Sequence, residues 1–123
     1  LMYSEEEISR QFNNPNYHYY LLGDAENFYG IMGFENHYEQ NTTKLHRIYI
    51  TEEGKGKGLG KEAILFLKNQ ILEVGDQRII LAVNKQNPSY HFYLSQGFKV
   101  YEEGVFDIGN GFVMDDYLLE WNA

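Results

Sequence analysis

The residues best suited to chemistry lie in one stretch, TEEGKGKGLGK, from Thr51 to Lys61. Gly54, Gly56, Gly58 and Gly60 alternate there with Lys55, Lys57 and, past Leu59, Lys61. The run before it, KLHRIYI, is β-branched and aromatic between polar flanks, which predicts a strand. After it, Leu59, Ala63, Leu67 and Ile71 recur at every fourth position, making one apolar helix face. Gly75 stands where a left-handed C-cap belongs. A glycine-rich turn that opens a helix leaves backbone N–H groups without intrahelical partners. Those donors, the positive end of the helix dipole and the lysines would together make an anion site, most naturally for phosphate. A flexible basic turn would have the same composition. The P-loop pattern is not met, because no glycine pair has its spacing before Lys-Ser/Thr. Gly58-Leu59-Gly60-Lys61-Glu62-Ala63 does fit G-x-G-x-x-G/A. However, the acidic ribose partner expected about twenty residues on is replaced by Gln77 and Arg78.

A third pattern matches more of the stretch. Lys55-Gly56-Lys57-Gly58-Leu59-Gly60 resembles the pyrophosphate loop R/Q-x-x-G-x-G/A of the GNAT superfamily of acyl-CoA-dependent N-acetyltransferases, with Lys55 in place of the usual Arg or Gln. A second segment follows in that family's order. RIILAV, from Arg78 to Val83, is a continuous apolar run suited to a buried strand. Next comes NKQNPSYHFYLSQGFKVYEEG, which resembles the family segment where an Asn precedes a short helix, a Tyr closes it and Gly-Phe opens the next strand. Here those residues are Asn87, Tyr93 and Gly97-Phe98, with either Gln86 or Asn87 in the amide position. Pro88 suits the first turn of such a helix, and Asn87 its N-cap.

The resemblance implies a fold: α/β (α+β), a mixed, mostly antiparallel sheet flanked by helices. Arg47–Ile50 and Ile79–Val83 would be adjacent parallel strands diverging at their C-terminal ends, with helices from Gly58 to Val74 and from Pro88 to Gln96. It also implies a cosubstrate, acetyl-CoA, with no metal. The pantetheine arm would pair with the backbone of Ile48, Tyr49 and Ile50. The pyrophosphate would sit on Lys55, Gly56, Lys57, Gly58, Leu59 and Gly60, with Lys61 at the helix start and Asn87 and Tyr93 nearby. Tyr93 matches the family's usual general acid, with its hydroxyl expected near the CoA sulfur. His46, where many members carry a Glu, is the candidate base on the central strand, beside Glu35 and Glu39 in the segment before it. His46 also fits a packed or solvent-facing strand histidine, and Glu35 and Glu39 fit solvated loop charges. Without cysteine or a Ser/His/Asp motif, direct transfer in a ternary complex is expected. HRIYI together with GNGFVMDDYLLEW resembles PaiA-type members, which acetylate polyamines. A protein lysine or N-terminus, or a chain that binds acetyl-CoA without turnover, stays open.

The rest of the chain sets the bounds. It has 123 residues, 43% of them hydrophobic, which suits one small domain with a core of its own. The net charge of −8 argues against nucleic acid, which needs a basic footprint, and agrees with a cationic acceptor. No apolar run is long enough to span a bilayer and no leader is evident, so the cytoplasm is the expected location. The expected partner is a small-molecule or peptide amine, and a homodimer is admitted. Ser4-Glu5-Glu6-Glu7 reads as a capping box that opens a helix ending before Asn14-Pro15. On that reading residues 1–123 form one acetyltransferase domain lacking the family's first strand and first helix. YHYYLLG (Tyr17 to Gly23) and FYGIMGF (Phe28 to Phe34) read as a hairpin, Glu35 to Thr43 as a loop, and FKVYEEG with FVMDDYLLEW as a final hairpin turning at Asp107 to Gly111.

Overall fold

The computed structural model describes residues 2–5 and 14–123. Among these residues seven strands form one sheet, in the spatial order β1-β2-β3-β4-β5-β7-β6. They are β1 (Met2–Glu5), β2 (Tyr17–Gly23), β3 (Phe28–Glu39), β4 (Thr42–Ile50), β5 (Arg78–Asn84), β6 (Lys99–Gly109) and β7 (Phe112–Asn122). Among the described residues the α-helices are α1 (Leu59–Glu73) and α2 (Ser89–Ser95). Every neighbouring pair is antiparallel except β4 and β5.

The parallel pair is short. Thr42, Thr43 and Lys44 register with Arg78, Ile79 and Ile80, and no later residue of β4 pairs with β5. β4 stays bound to β3 as far as Ile50, so from Leu45 onward its other edge has no strand partner among the described residues. The sheet is therefore split between two strands that begin side by side, which is the divergence the family resemblance implies; the paired residues, Thr42 to Lys44, lie upstream of the expected Arg47–Ile50.

Both helices pack on one face of the sheet. Leu59, Ala63, Ile64, Leu67 and Ile71 are the buried residues of α1. All but Leu59 join one core cluster with Leu22, Met32 and Phe34 from the antiparallel side and Ile79, Leu81 and Leu119 from the other. Gly60 lets α2 approach α1: a Cβ there would stand 3.0 Å from the Phe92 ring. Lys68 of α1 adds a hydrogen bond from Nζ to the Gln96 carbonyl at 2.6 Å. The two helices end alike. After α1, the N–H groups of Gly75 and Asp76 donate to the carbonyls of Leu72 and Ile71, with Gly75 at φ 89°. After α2, Gly97 and Phe98 donate to Leu94 and Tyr93, with Gly97 at φ 95°. Both are Schellman endings that need a left-handed residue.

Two expectations fail. Ser4 and Glu5 are not a capping box: β1 pairs antiparallel with β2, placing Ser4 opposite Leu21 and Glu5 opposite Tyr20. A long-range ladder outweighs a weak local helix signal; the remainder of the expected helix, residues 6–13, lies outside the described residues. Glu35 to Thr43 is not a loop either. β3 runs on to Glu39 and turns at Gln40-Asn41 into β4, with His37 and Asn41 at φ 55° and 56°. Two of its buried polar residues, Asn36 and Thr43, are satisfied by each other and by residues of distant elements. Asn36 Nδ2 donates to Thr43 Oγ1 (2.9 Å) and Gln70 Oε1 (3.0 Å), and Thr43 Oγ1 donates to Asp76 Oδ2 (2.7 Å).

Candidate functional site

The sheet's split opens into a groove of about 520 Å³. That lies within the ~300–1,000 Å³ typical of small-molecule sites. Ile48, Tyr49 and Ile50 form one wall, Gly54 to Gly56 and Gly58 to Lys61 the floor, and Ser89, Phe92 and Tyr93 of α2 the opposite side. The β4 wall presents the backbone edge that β5 leaves unpaired.

The floor is built by its glycines. A short 3-10 turn, Glu52–Gly54, leaves β4 with Thr51 as its cap, the Thr51 hydroxyl oxygen accepting from Gly54 N–H at 3.2 Å. Gly58 caps α1 at φ 75° and contributes no side-chain hydrogen bond. The first helical bond runs from Glu62 N–H to the Gly58 carbonyl. The N–H groups of Leu59, Gly60 and Lys61 therefore have no intrahelical acceptor. At Gly58 an added Cβ would meet nothing within 4 Å, so the loop backbone is open to a ligand. These donors at a helix N-terminus fit a phosphate-bearing ligand such as CoA.

The lysines divide. Lys55 and Lys61 line the groove. Lys55 Nζ is 2.8 Å from Glu52 Oε1, and this hydrogen bond raises the ammonium pKa, keeping it cationic at neutral pH. Lys57 stands over the Tyr29 ring at 5.2 Å and is not part of the lining. Nor is Asn87, whose side-chain oxygen accepts Ser89 N–H at 2.9 Å; the residue that caps α2 is Pro88, one position later than expected. Tyr93 is in the groove wall. Its ring stands edge-on to Phe92 and Phe98, at 5.3 and 5.9 Å between centroids. Burial pushes its phenol pKa above the ordinary value, so the hydroxyl stays protonated through the neutral range.

His46 lies outside the groove, on the other face of the sheet. Its ring stacks on Tyr17 at 4.8 Å, and Nε2 is 3.1 Å from Glu35 Oε1. Tyr17 and Glu35 are cross-strand partners adjoining the His18–Phe34 pair, whose Phe34 points into the α1 core. Alternation puts Tyr17, Glu35 and His46 on the opposite face. Burial lowers the His46 pKa below its usual value, and the Glu35 hydrogen bond only partly offsets this. Glu39 is elsewhere, 3.7 Å from Arg78.

Sequence reasoning missed Gly54, Ser89 and Phe92 in the lining. A signal for two of them existed: Ser89, Phe92 and Tyr93 are spaced i, i+3, i+4, which places them on one helix face.

Solved structures share this architecture. An acetyltransferase from Bacillus subtilis in complex with CoA aligns at TM-score 0.73 and 16% identity, over 94% of this chain and 82% of that one. PaiA N-acetyltransferase from Thermoplasma acidophilum, in complex with coenzyme A, aligns at TM-score 0.72 and 22% identity, over 94% of this chain and 66% of that one. The spermidine/spermine N-acetyltransferase SpeG from Vibrio cholerae, in complex with manganese ions, aligns at TM-score 0.76 and 22% identity, over 93% and 69%. No curated protein matches the chain in sequence. Residues 1–98 match the acetyltransferase (GNAT) family, which is most of the chain. The split sheet, the open glycine floor and that match agree, and the chain belongs to the GNAT family of acetyl-CoA-dependent N-acetyltransferases.

Proposed function

We propose that this chain moves an acetyl group from acetyl-CoA to a primary amine by direct transfer in a ternary complex, and that the amine belongs to a polyamine or similar small polycation. The observation that carries the reading is the groove itself. An unpaired strand edge, unpartnered helix N–H groups and a protonated tyrosine line one continuous cavity. The backbone of Ile48 to Ile50 would hold the pantetheine arm and polarise the thioester carbonyl. The Lys55–Lys61 segment would hold the pyrophosphate. On the far face His46 would take the proton that the amine nitrogen sheds as its bond to the acyl carbon forms. Tyr93 would give its proton to the sulfur as the carbon–sulfur bond breaks. Exchange with solvent then resets both side chains, so the products are the amide and free thiol. The polycation is supported by the net charge of −8 and by the PaiA and SpeG neighbours.

Two measurements test this. CoA at 100-fold its dissociation constant should add ~2.7 kcal/mol of stability. In a domain of this size that raises the melting temperature by roughly 5–10 °C. NADH and ATP should do much less; equal shifts from all three would mean a generic anion site. Thiol release should then be followed across spermidine, spermine, aminoglycosides and lysine peptides. The polyamines are expected to turn over fastest, with KM rising as salt is added, because screening shortens the reach of an acidic surface. Preference for a neutral or anionic amine would overturn the polycation assignment, and a CoA shift without any turnover would leave only binding.

A further inference from the structure

His46, Glu35 and Glu39 stood in the sequence as separate candidates for the base. The fold joins two of them, by setting β3 against β4 with a register shift between Gly33 and Phe34. We propose that Glu35 is the positioning residue of the base: it holds His46 in the Nε2–H tautomer and leaves Nδ1 to take the proton from the acceptor nitrogen. This rests on the N-acetyltransferase reading above.

The hydrogen bond settles which nitrogen is free. A carboxylate oxygen only accepts, so at 3.1 Å from Glu35 Oε1 it is His46 Nε2 that donates. In the neutral ring the lone pair is then on Nδ1, which has no partner among the described residues. The carboxylate is itself fixed, because Asn14 Nδ2 donates to its other oxygen at 3.1 Å. The ring is fixed by the Tyr17 stack, tilted only 19°, and by the edge of Tyr38 at 6.2 Å. Both members of the pair are half-screened from water, with side-chain exposures of 22% for His46 and 21% for Glu35.

The position suits the task. His46 stands just beyond Lys44, where β4 and β5 part, and two residues before Ile48. Two strand residues span about 6.6 Å, so the imidazole flanks the split from the face opposite the CoA groove. An amine entering the split from that face would meet Nδ1 on its way to the thioester. When the nitrogen–carbon bond forms, the nitrogen becomes cationic; its N–H bond breaks toward Nδ1, and the electron pair stays on nitrogen. The imidazolium that results keeps its Nε2–H directed at the Glu35 carboxylate. The other charged or titratable groups around the ring, among the described residues, are Lys44 and Arg47 of β4, which disfavour the imidazolium, and Tyr17 of β2 and Tyr38 of β3. Burial pushes the Tyr17 phenol up to about 12, so it is neutral here. Glu35 is thus the one anion among them.

The experiment pairs histidine nitrogen NMR with pH profiles of kcat, in wild type and in Glu35→Gln and Glu35→Leu. Wild-type His46 should show a protonated Nε2 and a bare Nδ1 above its pKa. Glu35→Gln keeps an accepting oxygen but loses the charge. It should keep the tautomer, while His46 titrates at lower pH and the acid limb of kcat moves down with it. Glu35→Leu removes both and should mix the tautomers. Since a general base is worth ~10²–10⁴, kcat at its plateau should then fall on the order of 10-fold or more. A bare Nε2 in wild type, or a Glu35→Leu chain that keeps both tautomer and plateau kcat, overturns the proposal. The tautomer is read without turnover, so a chain that acetylates no amine fails the functional reading separately. Glu35→Gln, being isosteric, gives the answer if Glu35→Leu does not fold.

Discussion

Replacing Tyr93 with phenylalanine is expected to cut kcat by ~10²–10⁴, the usual worth of general acid help. The ring packs between Phe92 and Phe98 and would stay there, since only the hydroxyl is removed. That hydroxyl makes no hydrogen bond among the described residues, so the melting temperature should barely move. CoA affinity should also be nearly unchanged, because the proton is needed only as the thiolate departs. The direction of the pKa shift adds a second test. A thiol of ordinary acidity has a pKa near ~8.5, and Tyr93 is held above 10 by burial, so the phenol is the weaker acid. Full transfer to a free thiolate would be uphill. On the proposed mechanism Tyr93 would therefore act while negative charge is still developing on sulfur, as a hydrogen-bond donor whose proton passes over as the carbon–sulfur bond breaks. Burial shifts its ionisation further above the neutral range, so the loss on substitution should be the same factor across the neutral range. A variant that keeps full kcat makes Tyr93 a packing residue. A loss confined to acidic pH would mean that the group removed titrates far below a buried phenol.

The readable parts of this chain are those whose signals are local. The face of α1 is written at fourth-residue spacing, and all four residues read from it are buried. The left-handed glycines Gly75 and Gly97 mark the helix ends because few other residues accept that backbone. The groove floor was legible for the same reason: only glycines let a backbone turn this tightly and remain open to a ligand. What the sequence hid was polar and long-range. Glu35 to Thr43 carries the composition of a loop, and nothing in it announces that Asn36 will pair with Gln70, or Thr43 with Asp76, from over thirty residues away. The link between Glu35 and His46 was hidden too, since it depends on a one-residue register shift that no periodicity records. Lys57 and Asn87 show the converse. Both fit the motif by position, yet one is engaged by the Tyr29 ring and the other by the Ser89 N–H.

The largest stability effect is expected at Asp76, a residue with no part in the chemistry. It is 1% exposed and follows Gly75 at the end of α1. Oδ2 accepts from His37 N–H at 2.8 Å and from Thr43 Oγ1 at 2.7 Å, and Oδ1 is 2.7 Å from His37 Nδ1. Three elements meet on this one carboxylate: the end of β3 at His37, the start of β4 and the end of α1. The His37 backbone, at φ 55°, is in a region that non-glycine residues rarely occupy, and the Asp76 bond to its N–H helps to hold it there. Asp76→Ala strands a buried hydroxyl and a backbone N–H, at ~1–3 kcal/mol each before relaxation. A net loss of about 2–4 kcal/mol should lower the melting temperature by roughly 6–15 °C. Asp76→Asn should lose much less. Its amide oxygen can accept from Thr43 and His37 N–H, and its NH₂ can donate to His37 Nδ1 once that ring changes tautomer. The ordering of the two variants is therefore the test, more than either value. Equal losses would mean that the negative charge, not the hydrogen-bond pattern, holds the site. There is a consequence for the groove as well. Thr42 and Thr43 are two of the three β4 residues that pair with β5, so Asp76 anchors the hinge from which the strands diverge. In Asp76→Ala the split should widen or waver, and CoA should stabilise the variant less than it stabilises the wild type at equal ligand concentration. An unchanged CoA shift on a destabilised variant would show that the β4–β3 ladder alone fixes the groove.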